Sequence, residues 1–117
     1  MKEINTDICI IGGGAAGLSM AAGATQMGAN TVLFESGKMG GDCLNYGCIP
    51  SKTLIANTKT AFQASNGRKK GISTSTRPDI NFDEIKQDIL NVIAKIAPHD
   101  SKERFEELGV RVFQESA

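Results

Sequence analysis

The 117-residue chain carries two closely spaced cysteines, Cys43 and Cys48, in the stretch "GGDCLNYGCIPSK". Two thiols at this spacing could bind zinc, form a structural disulfide, do redox chemistry, or be unrelated. Zinc usually takes four ligands from closely spaced pairs such as C-x-x-C. The whole sequence has only three cysteines and one histidine, His99. Zinc is therefore the weaker interpretation, and redox chemistry fits best.

The residues around the two thiols favour a redox pair. Cys48 is followed by "IPSKTLIANTKTAF", which predicts a helix with proline in its first turn. A thiol at a helix start lies near the positive end of the helix dipole, which favours the thiolate. We expect Cys43 on the preceding loop, where the flexible Gly47 lets the two sulfurs meet. The pair could then pass two electrons by cycling between dithiol and disulfide.

A glycine turn lies upstream of the thiols. Gly12, Gly14 and Gly17 have G-x-G-x-x-G spacing, after the apolar stretch "TDICIIG" and before an alanine-rich stretch that ends at Gly28. The pattern predicts a parallel strand buried on both faces, a tight turn and a helix. In the dinucleotide fold such glycines allow the turn, the approach of the pyrophosphate and close helix packing. The free N–H groups at the helix start hold phosphates. A glycine turn without a ligand is the alternative.

An acid follows at the distance that the dinucleotide motif requires. "NTVLFE" predicts a second strand over residues 30–35, and it ends in Glu35, about 20 residues after the turn. A carboxylate there accepts from a ribose hydroxyl and would repel a 2′-phosphate. The sequence therefore favours a nucleotide with an unphosphorylated ribose, such as FAD or NAD.

Composition is typical of one soluble globular domain. The chain is 40% hydrophobic and 22% charged, with a formal net charge of zero. We expect no nucleic-acid partner, because phosphate backbones require clustered positive charge. "GRKK" (67–70) is interpreted as a solvated loop tip within the main loop, 65–78. With no apolar run of about 20 residues and no signal peptide, we expect a cytoplasmic protein without membrane contact. Its cysteines should then be mostly reduced, and Cys9, inside the first strand, is interpreted as a small buried residue.

The second half of the chain predicts structural elements. "NFDEIKQDILNVIAKIAP" has apolar residues at helical spacing and predicts a core-facing helix that Asn81 caps and Pro98 ends. Another helix should follow and stop at Gly109, and residues 110–117 should form a third strand. His99 lies between the two helices and is interpreted as a surface residue.

The two motifs together closely resemble one family. "IIGGGAAG" and "LFESGKMGGDCLNYGCIPSKTL" are similar to the N-terminal FAD-binding region of the class I pyridine nucleotide-disulfide oxidoreductases, the group of dihydrolipoamide dehydrogenase, glutathione reductase and mercuric reductase. The resemblance implies an α/β, Rossmann-like FAD-binding domain, a parallel sheet with flanking helices, that is incomplete. Residues 1–117 would be the N-terminal part, without the rest of the FAD domain, the NAD(P)H domain and the dimerisation domain. The full-length parent would be a homodimer.

The resemblance also implies roles for single residues. Cys43 would be the thiol that exchanges with substrate, and Cys48 the thiol that lies against the flavin. The residues that would bind the cofactor are Gly12, Gly14 and Gly17 at the pyrophosphate, Glu35 at the ribose, Gly40, Gly41 and Asp42 beside the flavin, Lys52 near its reactive edge, and Ala117 at the adenine.

The match has departures that leave the substrate open. Asp42 stands where many members have threonine, Tyr46 where they often have valine, and Glu115 where a glycine is usual. The "GGDC" sequence is similar to mercuric-reductase-like members, and Ser51 with Lys52 resembles both the lipoamide and the mercuric branches. The substrate would be a small dithiol or disulfide, or a metal ion, reduced or oxidised through NAD(P)H and FAD. We expect the 117-residue chain alone to be inactive. A non-catalytic nucleotide-binding or thiol-sensing module is the alternative.

Overall fold

The fold begins with the predicted strand, helix and strand. The structure, a computed structural model, describes residues 3–72 and 78–117. Strand β1 is Ile8–Ile11, helix α1 is Ala15–Gln26 and strand β2 is Thr31–Phe34. Helix α1 ends just before Gly28, which has φ +86°, a left-handed conformation that glycine adopts without a steric penalty.

The three strands form a parallel sheet, as predicted. Strand β3, Arg111–Phe113, pairs with β2, which lies in the centre between β1 and β3. In this register Leu33 lies opposite both Ile10 and Val112. The third strand is shorter than the predicted stretch 110–117. Parallel strands with flanking helices make this an incomplete Rossmann-like α/β fold.

The main buried cluster lies on one face of the sheet, while Val32 in the central strand is buried on the other. Side chains alternate between faces along a strand, and one set packs against α1 and the residues that precede β3. The buried cluster consists of Ile10, Leu18, Ala21, Leu33, Phe105, Val110 and Val112.

The expectation that β1 is buried on both faces was wrong. Ile10 is buried, but Cys9 is exposed and Ile11 is 77% exposed. Cys9 and Ile11 alternate with Ile10, so they lie on the face opposite the core. The interpretation of Cys9 as a buried residue was therefore also wrong.

The cysteine stretch forms two helices. Helix α2 is Gly41–Asn45 and helix α3 is Cys48–Asn66, which continues into a 3₁₀ turn, Gly67–Lys70. The predicted loop over 65–78 thus begins later than expected. Its residues 73–77 lie outside the described residues.

Helix α4, Phe82–Ile96, begins at the predicted cap. The Asn81 side chain accepts from the backbone N–H groups of Asp83 and Glu84, and its amide donates to the Glu84 carboxylate at 3.0 Å. The expectation that α4 faces the core was wrong, because it packs on α3 and has no fully buried residue. A hydrogen bond of 2.9 Å from Asn57 to Asp88 joins the two helices.

The last helix is also capped locally. Helix α5, Lys102–Glu107, begins at Ser101, whose hydroxyl accepts from the Arg104 N–H, and the chain turns at Gly109 with φ +97°. His99 lies in a 3₁₀ turn between α4 and α5 and is exposed, as predicted.

The molecule is elongated, measuring 68 × 27 × 18 Å along its principal axes. Among the described residues, no helix combines the length and the apolar character needed to cross a membrane.

Candidate dinucleotide and dithiol site

The turn between β1 and α1 needs its first and third glycines. Gly12 has φ +107°, and its N–H donates to the Phe34 carbonyl at 2.8 Å. A Cβ on Gly17 would overlap the Gly12 carbonyl oxygen and lie 3.3 Å from the Ile10 side chain. The third glycine therefore allows the helix to lie directly on the strand, as predicted.

The start of α1 has no side-chain cap. Gly14, in extended conformation, precedes the helix, and its carbonyl accepts from the Leu18 N–H at 2.9 Å. The first N–H groups of an α-helix have no partner within the helix. In this 12-residue helix they remain available to an anion such as a pyrophosphate.

Two glycine segments contact each other at this turn. The Gly40 N–H donates to the Gly13 carbonyl at 2.8 Å, and Gly14 and Gly40 form a parallel bridge. A Cβ on Gly41 would lie 2.7 Å from the Gly14 Cα atom. The predicted flavin-side glycines therefore lie against the turn between β1 and α1, residues 12–14, which is called the phosphate turn below after its predicted ligand. A side chain on Gly41 would separate the two segments.

Glu35 also contacts the turn. Its carboxylate accepts from the Gly13 N–H and the Gly37 N–H, both at 2.6 Å. A Cβ on Gly13 would lie 3.1 Å from the Glu35 Cβ atom. The sequence analysis did not identify these contacts; the glycines at 13 and 37 were their only sequence signal.

A cleft joins three of the predicted cofactor residues. Gly12, Glu35 and Ala117 line a space of about 320 Å³ at the carboxyl ends of β1 and β2. Parallel sheets bind ligands at that edge. The glycine turn, the uncapped helix start and the carboxylate in this cleft fit the phosphates and a ribose hydroxyl of a dinucleotide.

The two thiols contact each other. Cys43 is the third residue of α2, and not on a loop as expected, while Cys48 is the first residue of α3, at the predicted helix start. Cys48 is the main influence on the pKa of the Cys43 thiol, and both are free thiols. Their predicted role as a redox pair stays a prediction.

The neighbours of Cys43 act on its acidity in opposite directions. Hydrogen bonding of the Cys43 S–H to the Cys48 sulfur raises the pKa of the Cys43 thiol above its usual value, and desolvation and the charge of Cys48 add to the effect. The positive charge of Lys52, one helical turn beyond Cys48, lowers the same pKa. Lys52 is exposed, and its predicted place beside a flavin stays a prediction.

The turn between the two thiols is tight. The N–H groups of Tyr46 and Gly47 both donate to the Asp42 carbonyl, at 2.9 and 2.6 Å. A Cβ on Gly47 would lie 3.0 Å from that carbonyl oxygen. Gly47 therefore lets α2 and α3 meet, as expected from its flexibility.

Asn45 is a site residue that the sequence analysis missed. Its side-chain amide donates to the carbonyls of Met39 and Gly41, at 3.1 and 2.9 Å. The bond to Met39 holds α2 to the segment before it, and the bond to Gly41 lies within the helix that carries Cys43. Nothing in the spacing of the motif identified this role.

Two departures from the family pattern lie on the surface. Tyr46 is 69% exposed, and the Lys38 ammonium lies 5.8 Å from the centre of its ring, within cation–π range. Asp42 is exposed beside Cys43. Within residues 3–72 and 78–117, no group of three histidine, cysteine or acidic residues could hold a metal ion.

The chain is similar to known proteins of one family. The family model described as pyridine nucleotide-disulphide oxidoreductase matches residues 6–112. A dihydrolipoyl dehydrogenase of Buchnera aphidicola is 40% identical over 97% of this chain and 24% of its own length. The dihydrolipoyl dehydrogenase of Haemophilus influenzae is 41% identical over 81% of this chain and 20% of its own length. That of Bacillus subtilis is 36% identical over 78% of this chain and 19% of its own length. The chain thus spans about a quarter or less of the length of these relatives.

Proposed function

The chain belongs to the pyridine nucleotide-disulphide oxidoreductase family, and on that premise we propose that it provides the dinucleotide turn and the redox dithiol of an FAD-dependent enzyme. The observation that supports the proposal most directly is the tight turn at Gly47, which brings Cys43 of α2 close enough to Cys48 of α3 for Cys48 to affect the pKa of Cys43. Helix α2 begins at Gly41, which is in close contact with Gly14 of the phosphate turn.

The proposed cofactor is FAD. Gly12, Gly14 and Gly17 would receive the pyrophosphate, Glu35 the ribose and Ala117 the adenine. The residues proposed for the flavin side are Gly40, Gly41, Asp42 and Lys52. A bound flavin would supply two-electron transfer between NAD(P)H and the dithiol.

The two thiols would divide the exchange reaction between them. The Cys43 thiolate attacks a substrate disulfide, forms a mixed disulfide and releases one substrate sulfur as a thiolate. The Cys48 thiolate then attacks Cys43, which closes the Cys43–Cys48 disulfide and releases the second substrate sulfur. The substrate gains two electrons and two protons, and the pair loses them. Oxidation of a substrate dithiol is the reverse sequence.

The proposed substrate is a small dithiol of the dihydrolipoyl type. Three relatives that share 36 to 41% identity with this chain are named dihydrolipoyl dehydrogenases, which favours this substrate over a mercuric ion. In the full-length parent we propose a homodimer that uses NAD(P)H.

The dithiol proposal can be tested on the chain itself. Oxidation by glutathione disulfide should link Cys43 to Cys48 within one molecule, which peptide mapping by mass spectrometry would detect. Cys9→Ser is the matched control, because Cys9 is an exposed thiol on β1, and it should leave the bridge unchanged. A product with glutathione on each thiol and no bridge would count against the proposal.

Catalysis is tested in a protein of the relatives' length that contains this chain. A Cys48→Ser variant should lose turnover and change the absorbance of the reduced flavin. Full turnover with an unchanged spectrum would refute the mechanism. We propose that the 117-residue chain alone has no NADH-driven turnover. A stand-alone nucleotide-binding or thiol-sensing module would instead bind nucleotide, or undergo oxidation of its thiols, without catalytic turnover. This would hold for the 117-residue chain and for the longer protein alike.

A further inference from the structure

The Glu35 carboxylate binds two separate backbone segments. One oxygen, Oε2, accepts from Gly13 in the phosphate turn, and the other, Oε1, accepts from Gly37, each at 2.6 Å. The backbone of Glu35 is fixed as well, because its N–H donates to the Phe113 carbonyl at 2.9 Å. The carboxylate is thus held between the phosphate turn and the segment that leads to the dithiol.

That segment, residues 36–40, is attached to the phosphate turn at both ends. Gly37 is attached through the Glu35 carboxylate, and Gly40 through its hydrogen bond of 2.8 Å to the Gly13 carbonyl. Helix α2 begins immediately afterwards and carries Cys43 as its third residue. Cys43 thus follows a segment that has two attachments to the phosphate turn, one of them through the Glu35 carboxylate.

We propose that Glu35 is a positioning residue for the Cys43–Cys48 pair, because its carboxylate holds the segment before α2 against the phosphate turn. The redox role of the pair rests on the proposed function, whereas the attachment through Glu35 does not. A carboxylate has about four acceptor sites, so the two contacts leave acceptors for ribose hydroxyls. Glu35 can therefore hold the two backbone N–H groups and accept from a ribose hydroxyl at the same time.

Substitutions at Glu35 separate charge from geometry. Gln accepts through only one oxygen, and its NH₂ group would face the second backbone N–H. Asp keeps the charge, but it is one methylene shorter and cannot span both N–H groups. Glu107→Gln is the control, because it removes the same charge from an exposed position at the end of α5.

Amide hydrogen exchange tests the attachment directly. In Glu35→Gln and in Glu35→Asp, at least one of the Gly13 and Gly37 amides should exchange about tenfold faster, since it loses its hydrogen bond to the carboxylate. The Leu33 amide in the central strand should be unchanged, which would show that the fold persists. Unchanged exchange at Gly13 and Gly37 would overturn the proposal.

The dithiol equilibrium tests the consequence for Cys43 and Cys48. In the exchange reaction, the two thiols and one glutathione disulfide give the protein disulfide and two glutathione thiols. Both Glu35 variants should shift this equilibrium several-fold toward the protein dithiol, while Glu107→Gln should not. Faster amide exchange with an unchanged equilibrium would overturn the positioning role. If the unsubstituted chain forms no bridge, the proposed function fails, and the amide exchange alone decides whether Glu35 holds the segment.

Discussion

At the residue scale, Cys43 has a thiol whose acidity depends on its neighbours. Hydrogen bonding of its S–H to Cys48 raises its pKa, and the positive charge of Lys52 lowers it. Because only the thiolate reacts with alkylating agents, a raised pKa moves the onset of reaction to higher pH. The pH dependence of alkylation therefore reports the contact between the two thiols.

We predict opposite shifts for two substitutions in a Cys9→Ser background. Cys48→Ala removes the largest cause of the raised pKa, so the rate of Cys43 alkylation by iodoacetamide should rise at a lower pH. Lys52→Gln removes a positive charge that favours the thiolate, so the rate should rise at a higher pH. Alkylation rates across a pH series would measure both shifts. A shift in the same direction for both variants would contradict the opposite effects of Cys48 and Lys52 on the pKa of Cys43.

At the element scale, the contact between α1 and β1 depends on a single glycine. Gly17→Ala places a methyl group on the Gly12 carbonyl and should lower the free energy of unfolding by about 1–3 kcal/mol. Gly23→Ala is the matched control in the same helix, because a Cβ there meets nothing within 4 Å. It should raise the free energy of unfolding by about 0.5–1 kcal/mol. Urea unfolding of both variants would measure the difference, and equal effects would contradict the packing.

The cap of α4 gives a second prediction at this scale. Asn81→Ala leaves the N–H groups of Asp83 and Glu84 without their acceptor and should cost about 1 kcal/mol of stability. Asn81→Asp keeps an oxygen at the cap and should restore most of the loss. Thermal unfolding followed by circular dichroism tests both, and a stable Asn81→Ala protein would contradict the cap.

Local signals predicted most of the elements. The cap at Asn81, the stops at Gly28 and Gly109, and the glycine turn depend on residues close in sequence, so the sequence alone was enough to place them. Exposure depends on which elements meet in space, and for that reason the predictions for Cys9 and α4 failed. The sequence identified Glu35 as an acceptor, but its backbone partner Gly13 is 22 residues away.

The whole molecule is less compact than its length suggests. A compact domain of this length has a radius of gyration of about 13 Å, whereas the structure has 20.3 Å. The paired helices α3 and α4 account for part of the extension, since a 19-residue helix such as α3 is about 28 Å long. These helices expose large apolar side chains, including Ile55, Phe62 and Leu90.

We predict that small-angle X-ray scattering of the monomeric chain will give a radius of gyration near 20 Å. A dilution series is the control, because association through the exposed apolar side chains would raise the value as the concentration increases. A value near 13 Å at all concentrations would contradict the extended arrangement of α3 and α4.

The contact between Gly14 and Gly41 has a consequence for protein engineering. A Cβ on Gly41 would lie 2.7 Å from the Gly14 Cα atom, so the thiol-bearing helix can start against this turn only with glycine at position 41. Grafting "GGDCLNYGC" onto another nucleotide-binding scaffold must therefore keep the glycine at the position of Gly41, because any side chain there would push the helix away from the turn.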